Sequence, residues 1–471
     1  MSTGTSTLPG SKAPFWQRAP RLILRPLDYF EDNYRRYGPV FQMGKGPPPS
    51  IYVADPAVIQ GIFQADAAQF HVPPQSAGSG LTFLLGDRSL LLLDGERHRR
   101  HRRLLMPPFH GDRMRAYGDV ICALTEQAMA DWQSGTAFNV RATMQDITLR
   151  VILKAVFGLD DGDRYDRLRQ LLSTLLEGLG TPFSAFFIFF PGLQKDLGPL
   201  SPWGRFVRIK AEIDALIYAE IEDRQRQPQP ERTDILSLMM SARDDQGQPL
   251  SDGELHDELM TLLVAGHETT ASALTWALYW VHWLPEVGDS ESDRIAKRLT
   301  QELAAVGPSS DPLAYANLPY LTALCQETLR IYPVAPTTGI RILSRPLTVA
   351  GYEFPAGAVL FLNIYLVHHR EDLYPEPDRF RPERFLERQY SPAEFLPFGG
   401  GHRSCIGMAF ALMEMKLVLA TVLRRWHLEL APRDRRPLRP VRRGLTLAPP
   451  GSLKLVPVGQ RVPQVQALPL S

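Results

Sequence analysis

The sequence predicts a mainly α-helical protein with small β-sheets. In six segments apolar residues recur at intervals of three and four, the spacing that places them on one face of a helix. These segments are residues 118–132, 147–157, 203–225, 257–283, 318–332 and 408–426. Short stretches punctuated by glycine and proline, at 39–53, 347–364 and 428–456, indicate strands and hairpins. Because the helical segments carry most of the apolar residues, we expect them to form the core.

The composition is that of a globular protein able to bury a large core, with 44% hydrophobic and 22% charged residues. The 52 basic and 51 acidic residues give a formal net charge of +1, which provides no bulk field to attract nucleic acid or anionic lipid. Residues 1–20 are rich in Ser, Thr and Pro without a long apolar run, so we expect a flexible segment that is neither a signal nor an anchor. Residues 459–471 are expected to form a loose tail.

The three cysteines, Cys122, Cys325 and Cys405, are widely spaced and odd in number. This argues against a disulfide framework and for a reducing compartment, so a cytoplasmic location is expected. The longest apolar region, 255–284, contains His267 and Glu268, which would be costly in lipid. We therefore expect a buried helix of a soluble protein and no stable membrane anchor.

The most informative stretch is the glycine-rich loop around Cys405, which leads into an apolar helix near Met408. Glycines at 399, 400, 401 and 407 let the backbone turn sharply and approach a flat cofactor. A thiolate just before a helix start can accept hydrogen bonds from backbone N–H groups, and the helix dipole favours its charge. Taken alone, a cysteine in such a loop is more often structural or a nucleophile than a haem ligand.

The loop residues Phe398, Gly401, Arg403, Cys405 and Gly407 resemble the haem-binding signature of the cytochrome P450 family. The resemblance implies haem b with Cys405 as the axial ligand to iron, buried between a long central helix and the helix that follows the cysteine loop. A thiolate ligand pushes electron density onto iron and favours O–O cleavage, so it also implies a monooxygenase. A single P450 catalytic domain is expected over residues 21–458.

The centre of the helix at 257–283 resembles the oxygen-binding helix of the family. By that resemblance Ala265 lies against the haem, Gly266 leaves room for a diatomic ligand, and Glu268 with Thr269 forms an acid–alcohol pair that delivers protons. The structural alternative is a threonine hydroxyl bonded back to a helix carbonyl, beside an exposed glutamate.

A further resemblance concerns Glu327 and Arg330 in a predicted helix and Arg384 in a later loop. An i,i+3 Glu–Arg pair on its own is usually a solvated surface ion pair. The family has a Glu, an Arg and a second Arg in this arrangement, which implies a buried network that holds the cysteine loop. We assign these residues to fold integrity and not to catalysis.

The resemblance also implies which side chains contact the haem. Its propionates need cationic partners, expected from His98, Arg102, Arg341 and Arg403. Further cofactor contacts are expected from Phe398, Gly399, Ala265 and Gly407. Arg97, Arg99, Arg100 and Arg103 are expected to form a solvated basic face, which could serve as a docking face for an acidic electron donor.

The residues implied to line the substrate cavity are mostly apolar and carry no fixed charge. They are Ser89, Leu90, the aromatic region 183–190, Val264, Ala265, Thr269, Ala335, Pro336, Thr337 and Leu445. A hydrophobic substrate is therefore expected, such as a fatty acid, a terpenoid or a lipophilic natural product. Segments 90–110 and 196–205 resemble a cyanobacterial and myxobacterial branch linked to fatty-acid and sesquiterpene oxidation.

The chain shows neither a GxGxxG motif after a strand nor clustered cysteines, so electrons are expected from a separate ferredoxin-type or flavodoxin-type donor with its reductase. Dioxygen and an apolar small molecule complete the expected partners, and nucleic acid is not among them. Two rival functions stay open. One is a peroxide-driven haem-thiolate peroxygenase or isomerase, which tends to lack the acid–alcohol pair. The other is a non-catalytic haem protein that binds a gas or a hydrophobic ligand.

Overall fold

The computed structural model describes residues 8–44, 48–73, 81–109, 113–180, 187, 190–229, 231–283, 291–306 and 311–461. The helices are α1 (Phe15–Leu24), α2 (Pro26–Tyr37), α3 (Pro56–Gln64), α4 (Thr82–Leu85), α5 (Gly95–Leu105), α6 (Arg113–Ala128), α7 (Val140–Phe157), α8 (Asp163–Leu179), α9 (Pro202–Arg226), α10 (Ile235–Ser241), α11 (Asp252–His282), α12 (Glu291–Val306), α13 (Pro312–Ala316), α14 (Pro319–Ile331), α15 (Ile364–His368), α16 (Arg384–Glu387) and α17 (Met408–Arg425). The strands are β1 (Gly10–Ser11), β2 (Val40–Met43), β3 (Ser50–Val53), β4 (Phe70–His71), β5 (Phe138–Asn139), β6 (Arg341–Leu343), β7 (Leu347–Val349), β8 (Tyr352–Phe354), β9 (Val359–Leu362), β10 (Trp426–Leu430), β11 (Val441–Arg443), β12 (Thr446–Ala448) and β13 (Lys454–Gln460).

The 31-residue helix α11 is mostly buried and packs against both α7 and α17. Its start is fixed by a capping box, in which Ser251 Oγ accepts the Glu254 N–H at 3.3 Å and the Glu254 carboxylate accepts the Ser251 N–H at 2.8 Å. The helix begins five residues before the predicted position 257, because these polar capping residues leave no mark on the apolar periodicity. Neither α11 nor any other helix in the described part of the chain is long and apolar enough to cross a lipid bilayer.

A six-stranded sheet of order β1-β2-β3-β9-β6-β4 organises a second core beside the helical one. β2 and β3 are antiparallel with Phe41 opposite Tyr52, and β3 runs parallel to β9 with Tyr52 opposite Phe361. The three rings stack with centroid distances of 5.5 and 4.9 Å, which fixes the register by cross-strand aromatic contact. The remaining strands form the sheet β10-β13-β5 and the hairpins β7–β8 and β11–β12.

The predicted helices correspond to α6, α7, α9, α11, α14 and α17. The predicted strand regions overlap β2 and β3, β7 to β9, and β10 to β13. The sequence analysis does not predict α8, although its buried leucines repeat at helical spacing. These are Leu168, Leu171, Leu172, Leu175 and Leu176. Six charged residues share this helix with the leucines, namely Asp163, Arg164, Asp166, Arg167, Arg169 and Glu177, and five of them are crowded into its first seven residues.

The chain ends differ from expectation. Within the segment 1–20, which is predicted to be flexible, β1 pairs in parallel with β2, and α1 begins at Phe15 and buries Ala19, Leu22 and Ile23. At the other end β13 continues to Gln460, two residues beyond the expected boundary, because its ladder with β10 extends to Trp426. Residues 1–7 and 462–471 lie outside the described residues.

Candidate functional site

Cys405 lies in the loop between α16 and α17, three residues before α17 begins. Gly399 and Gly401 have φ of +67° and +64°, a left-handed conformation that strains any residue with a side chain. These two turns fold the loop back on itself, so that the Cys405 N–H donates to the Phe398 carbonyl at 3.0 Å. The loop thereby leaves the cysteine side chain exposed instead of packed into the core.

The surroundings of the Cys405 thiol act on its pKa in opposite directions. The protein atoms around the sulfur have the larger effect and raise the pKa, because desolvation disfavours the thiolate even at a side chain that keeps some exposed surface. The Gly407 N–H at the start of α17 hydrogen-bonds the sulfur, and this bond and the Arg102 cation both lower the pKa. The hydrogen bond from a backbone N–H at the helix start to the sulfur agrees with the sequence analysis. A metal cation bound to the sulfur would displace the thiol proton completely.

Helix α11 presents Ala265 as an exposed residue between the buried Leu263 and His267. An exposed side chain in the middle of a helix packed on two sides indicates an open space beside it. Gly266 faces the other way, since a Cβ there would lie 3.1 Å from Ile152 Cδ1 on α7. The expectation that Gly266 makes room for a diatomic ligand is therefore wrong, because the missing side chain allows α11 and α7 to pack closely.

The side chains of Glu268 and Thr269, predicted as an acid–alcohol pair, hydrogen-bond different partners in this conformation, and their role in proton delivery stays a prediction. The Thr269 hydroxyl donates to the Ala265 carbonyl at 2.6 Å. The Glu268 carboxylate points to α7, where it accepts from Arg141 Nη2 at 2.6 Å and from Gln145 Nε2 at 2.8 Å. Successive side chains diverge by about 100° around a helix, and the ion pair with Arg141 keeps the carboxylate on its own side. The structural alternative holds for the hydroxyl, but Glu268 is paired and largely buried.

Two of the predicted propionate partners bind the backbone of the cysteine loop. Arg102 on α5 donates to the Ser404 carbonyl at 2.6 Å and to its hydroxyl at 2.9 Å. Arg341 on β6 donates to the Gly400 carbonyl at 3.0 Å. Burial and the nearby Arg403 lower the pKa of Arg341 to about 10. Ser404 and Gly400 are thus anchor points that the sequence analysis did not single out.

Arg403 ties the cysteine loop to the chain before α5. It donates to the Leu93 carbonyl at 2.5 Å and forms an ion pair with Asp94, which also accepts the Val72 N–H at 2.8 Å. Asp94 was not predicted, although its place directly before α5 marks it as a helix-start residue. Among the described residues that hydrogen-bond the three arginines, Arg102, Arg341 and Arg403, only Asp94 carries a carboxylate. The cluster therefore has more positive than negative charge.

His98 on α5 is buried, and its role as a propionate partner stays a prediction. Burial and the neighbouring Arg403 lower its pKa to about 3. Its ring stands edge-on to that of His402 at 6.3 Å, and burial with the Arg341 cation lowers the pKa of His402 to about 4. Both rings are neutral and can offer an N–H to an anion, but not a charge.

These residues suit a haem group. The exposed thiol of Cys405 stands at the head of α17, the exposed Ala265 lies on α11, and the two helices pack together. Arginines without matching carboxylates suit the two propionates of the macrocycle. Gly400 has no side chain where a Cβ would lie 2.3 Å from the Phe63 ring, so the cysteine loop packs closely against α3.

Comparison with known proteins decides the family, because the family model for cytochrome P450 matches residues 9–455. The chain belongs to the cytochrome P450 family. It is 39% identical over 428 residues to the putative cytochrome P450 135B1 of Mycobacterium tuberculosis, which covers 90% of this chain and 86% of the relative. It is 33% identical over 474 residues to the putative cytochrome P450 135A1 of the same species, which covers 97% of each chain.

Solved P450 structures superpose on nearly the whole chain. The retinoic-acid-bound cyanobacterial CYP120A1 matches with a TM-score of 0.79 at 25% identity, covering 96% of this chain and 98% of that one. The cytochrome P450DA heme domain matches with a TM-score of 0.82 at 23% identity, covering 98% and 99%. The predicted fold, the haem b cofactor held by a cysteine thiolate and the monooxygenase class are confirmed by this membership. The predicted cyanobacterial and myxobacterial branch stays a prediction.

The P450 fold brings Glu327, Arg330 and Arg384 together as the sequence predicts. Glu327 and Arg330 are fully buried on α14, with Arg330 Nε donating to the carboxylate at 2.6 Å and Nη2 at 2.9 Å. Arg384 Nε lies 3.3 Å from the same carboxylate. Arg330 also donates to the His368 carbonyl at 2.9 Å. The network joins α14 to the segments that precede the cysteine loop.

The basic face of α5 is largely neutralised by ion pairs. Arg100 pairs with Asp244 at 2.6 Å and with Glu254 at 3.1 Å, with three quarters of its side chain buried. Arg103 pairs with Asp245 and Arg99 with Glu96. The expectation of a solvated Arg100 is wrong, because the turn before α11 brings acidic residues against it. The docking face for an electron donor stays a prediction and now depends mainly on the exposed Arg97.

The predicted substrate-lining residues separate into two groups. Ser89 is fully buried and accepts from Thr261 Oγ1 at 2.7 Å, so it anchors its loop to α11 and does not line a cavity. Leu90 and Pro336 are buried, Val264, Ala335, Thr337 and Thr269 are half-buried, and Ala265 and Leu445 are exposed. Of the aromatic region 183–190, residues 183–186, 188 and 189 lie outside the described residues. Phe187 packs against Trp203 with ring centroids 5.6 Å apart.

Proposed function

We propose that this P450 inserts one oxygen atom of dioxygen into an apolar organic substrate, with Cys405 as the axial ligand of haem b. The observation that carries the proposal is the exposed Cys405 thiol on a loop turned by Gly399 and Gly401, with the Gly407 N–H on its sulfur. Cys122 is half-buried beside α17 and Cys325 is fully buried, with its pKa raised to about 12 by desolvation. Neither of these two cysteines is presented to a cofactor.

When bound, haem iron with a thiolate ligand activates dioxygen for insertion into a C–H bond. The protein supplies the surroundings. Arg102, Arg341 and Arg403 would bind the propionates while keeping their hydrogen bonds to the protein backbone, because a guanidinium has five N–H donors. His98 would offer a neutral N–H to the same groups. Together these side chains would hold the cofactor at the cysteine loop.

Proton delivery is assigned to Thr269 and Glu268. The Thr269 hydroxyl donates to the Ala265 carbonyl and keeps two lone pairs free to accept a hydrogen bond from a proton donor. Glu268 must leave Arg141 and turn before its proton can reach Thr269, since it is bound to α7 in this conformation. Proton supply in this P450 therefore includes a side-chain rearrangement of Glu268.

The substrate is proposed to be apolar. The half-buried or exposed residues at the site, Val264, Ala265, Ala335 and Leu445, offer hydrocarbon surface and no charge. The retinoic acid bound to the cyanobacterial CYP120A1, which is mostly hydrocarbon, supports the same substrate class. Fatty acids and terpenoids are the compounds to test first.

Electrons are proposed to come from a separate ferredoxin-type or flavodoxin-type protein and its reductase. The P450 family model matches residues 9–455, and the three cysteines of the sequence are not clustered as iron–sulfur ligands would be. The cytoplasmic location remains our proposal, supported by three cysteines that are all free.

Turnover with alternative oxidants tests this function against its rivals. Purified holoprotein is incubated with dodecanoic acid, farnesol or retinoic acid, either with NAD(P)H, a ferredoxin and its reductase under air, or with hydrogen peroxide alone. We expect labelled oxygen from ¹⁸O₂ in the product of the first reaction. Product from peroxide alone would support the peroxygenase, and binding of these ligands without product in either reaction would support the non-catalytic haem protein.

A further inference from the structure

The Glu268 carboxylate lies where three elements of the fold meet. Arg141 and Gln145 on α7 donate to it at 2.6 and 2.8 Å. On β11, Arg443 approaches with its Nε 3.5 Å from the same oxygen that Arg141 binds. The two α7 contacts are hydrogen bonds of ordinary length, whereas 3.5 Å is too long for a good one. Arg443 is therefore the loosely held partner of Glu268.

Arg443 is the last residue of β11 before a turn that reaches the proposed substrate pocket. It pairs with Thr446 across the three-residue β11–β12 ladder, and Leu445 in the turn is 42% exposed. On β12 the Leu447 N–H donates to the Val334 carbonyl at 2.7 Å, directly before the proposed pocket residue Ala335. Because the hairpin is so short, a shift of Leu445 moves the Arg443 side chain as well.

The guanidinium of Arg443 also reaches the end of α8. A Cβ on Gly180 would lie 2.1 Å from Arg443 Nη2, so the glycine leaves the space that the guanidinium occupies. The Glu177 carboxylate, one turn earlier on α8, stabilises the same cation. Arg443 thus stands between two acids, Glu268 on α11 and Glu177 on α8.

The charges around Glu268 favour a second position for Arg443. Arg141 and Arg443 are two cations near one carboxylate, with only 5% and 19% of their side chains exposed. They repel each other, and burial together with Arg141 lowers the pKa of Arg443. The Nε atoms of both arginines have no hydrogen-bond partner among the described residues. Movement of Arg443 toward the exposed Glu177 relieves this repulsion.

We propose that Arg443 is a positioning residue that makes proton delivery by Glu268 depend on substrate. This inference rests on the proposed function, in which Glu268 and Thr269 supply protons. In the substrate-free protein Arg443 assists Arg141 in keeping the Glu268 carboxylate directed to α7. Substrate against Leu445 moves the hairpin and takes Arg443 toward Glu177, which leaves Glu268 with one cation. Glu268 then takes a proton from solvent on one carboxylate oxygen, which weakens its ion pair with Arg141 and lets it turn. It passes the proton to the Thr269 hydroxyl, which releases its own proton toward the cavity.

Arg443→Gln tests the role of the cation, with Arg442→Gln as the matched control. Arg442 is adjacent in the same strand, is also half-buried, and points to the opposite face. We measure NAD(P)H oxidation by holoprotein and donor without substrate and with the tightest-binding of dodecanoic acid, farnesol and retinoic acid. Arg443→Gln should raise the rate of NAD(P)H oxidation without substrate about threefold to tenfold, and the extra electrons should appear as hydrogen peroxide. The affinity for the ligand should stay within about twofold of wild type. Arg442→Gln should leave the ratio of the two rates unchanged.

A second variant and a second readout separate this inference from the proposed function. Gly180→Ala displaces the guanidinium without removing its charge and should raise the substrate-free rate as Arg443→Gln does. Ligand binding should change the hydrogen–deuterium exchange rates of residues 441–448 both in wild-type protein and in Arg443→Gln. The exchange rates of the α11 segment around Glu268 should change on ligand binding in wild-type protein alone. A wild-type ratio of rates in Arg443→Gln, or a hairpin unaffected by bound ligand, would overturn the inference even where wild-type turnover is normal. Absence of wild-type turnover with any donor would instead count against the proposed function.

Discussion

Arg102 on α5 donates two hydrogen bonds to Ser404, the residue directly before Cys405, one to its carbonyl at 2.6 Å and one to its hydroxyl at 2.9 Å. The same guanidinium carries the positive charge that lowers the pKa of the Cys405 thiol. A single side chain thus fixes the position of the cysteine loop and favours the charged form of the sulfur. This dual role makes Arg102 a sensitive point of the site.

Arg102→Met should weaken both the fold and haem retention. Two charge-assisted hydrogen bonds are lost, one of them to a backbone carbonyl, and we expect a loss of about 2–4 kcal/mol in the free energy of unfolding. Denaturant unfolding and the haem content of purified protein measure the two effects. Arg97→Met, on the exposed face of the same helix, is the control and should change neither by a measurable amount. Equal haem content and stability in both variants would contradict this role of Arg102.

Glu327→Gln should destabilise the protein much more than the same substitution at Glu387. Glu327 is fully buried between Arg330 and Arg384, so its loss leaves two buried cations without a counter-charge and should cost about 3–5 kcal/mol. Glu387 pairs with Arg381 at the surface, where such pairs contribute about 0–1 kcal/mol. Urea unfolding of both variants measures the difference. Similar midpoints would show that the buried network does not stabilise the fold.

Thr269→Ala should uncouple electron consumption from product formation. The hydroxyl that receives protons is lost, so hydrogen peroxide should replace product, and product per NAD(P)H should fall about tenfold or more. Thr275→Ala is the matched control, because its hydroxyl donates to the Ala271 carbonyl at 2.7 Å in the same helix but is fully buried. Peroxide and product are measured together for each variant. Unchanged coupling in Thr269→Ala would remove this residue from proton delivery.

Glu414 on α17 should make stability fall as the pH rises. Burial raises its pKa from 4.5 to about 8, and its Oε1 has no hydrogen-bond partner among the described residues. The folded state therefore holds a proton that the unfolded state loses above pH 4.5, so this contribution is complete below pH 4.5 and is lost as the pH rises to 8. Glu414→Gln should flatten this part of the stability profile and should gain most over wild type near pH 8, by up to about 5 kcal/mol. Parallel profiles for the two proteins between pH 4.5 and 8 would refute the assignment.

The sequence predicts the elements that carry the chemistry better than the contacts between them. The cysteine loop can be predicted from the sequence because its glycines and its cysteine must occupy fixed positions. In the structure Gly399 and Gly401 do adopt the left-handed conformation. The Glu327 network is readable because it follows a fixed spacing on α14. The direction in which the Glu268 side chain points cannot be predicted in this way, since its partner Arg141 lies 127 residues away on another helix.

Burial explains the other differences between prediction and structure. His98 was expected to be cationic, yet its pKa of about 3 depends on desolvation and on Arg403, which no local pattern reports. Ser89 was expected in the pocket, yet its hydroxyl is fixed to Thr261, whose position depends on how α11 packs against the loop before α5. Both depend on tertiary packing and not on local sequence.

The central claim is that the sulfur of Cys405 binds the haem iron, and the carbon monoxide difference spectrum of the reduced, natively purified protein tests it most directly. We predict the long-wavelength absorption band of a thiolate-ligated carbon monoxide complex in wild-type protein. Cys405→His should shift the band to the shorter wavelength of a nitrogen-ligated complex, whereas Cys122→Ser should leave it unchanged. A nitrogen-type band in freshly purified, folded wild-type protein, or a thiolate-type band that survives in Cys405→His, would contradict the account.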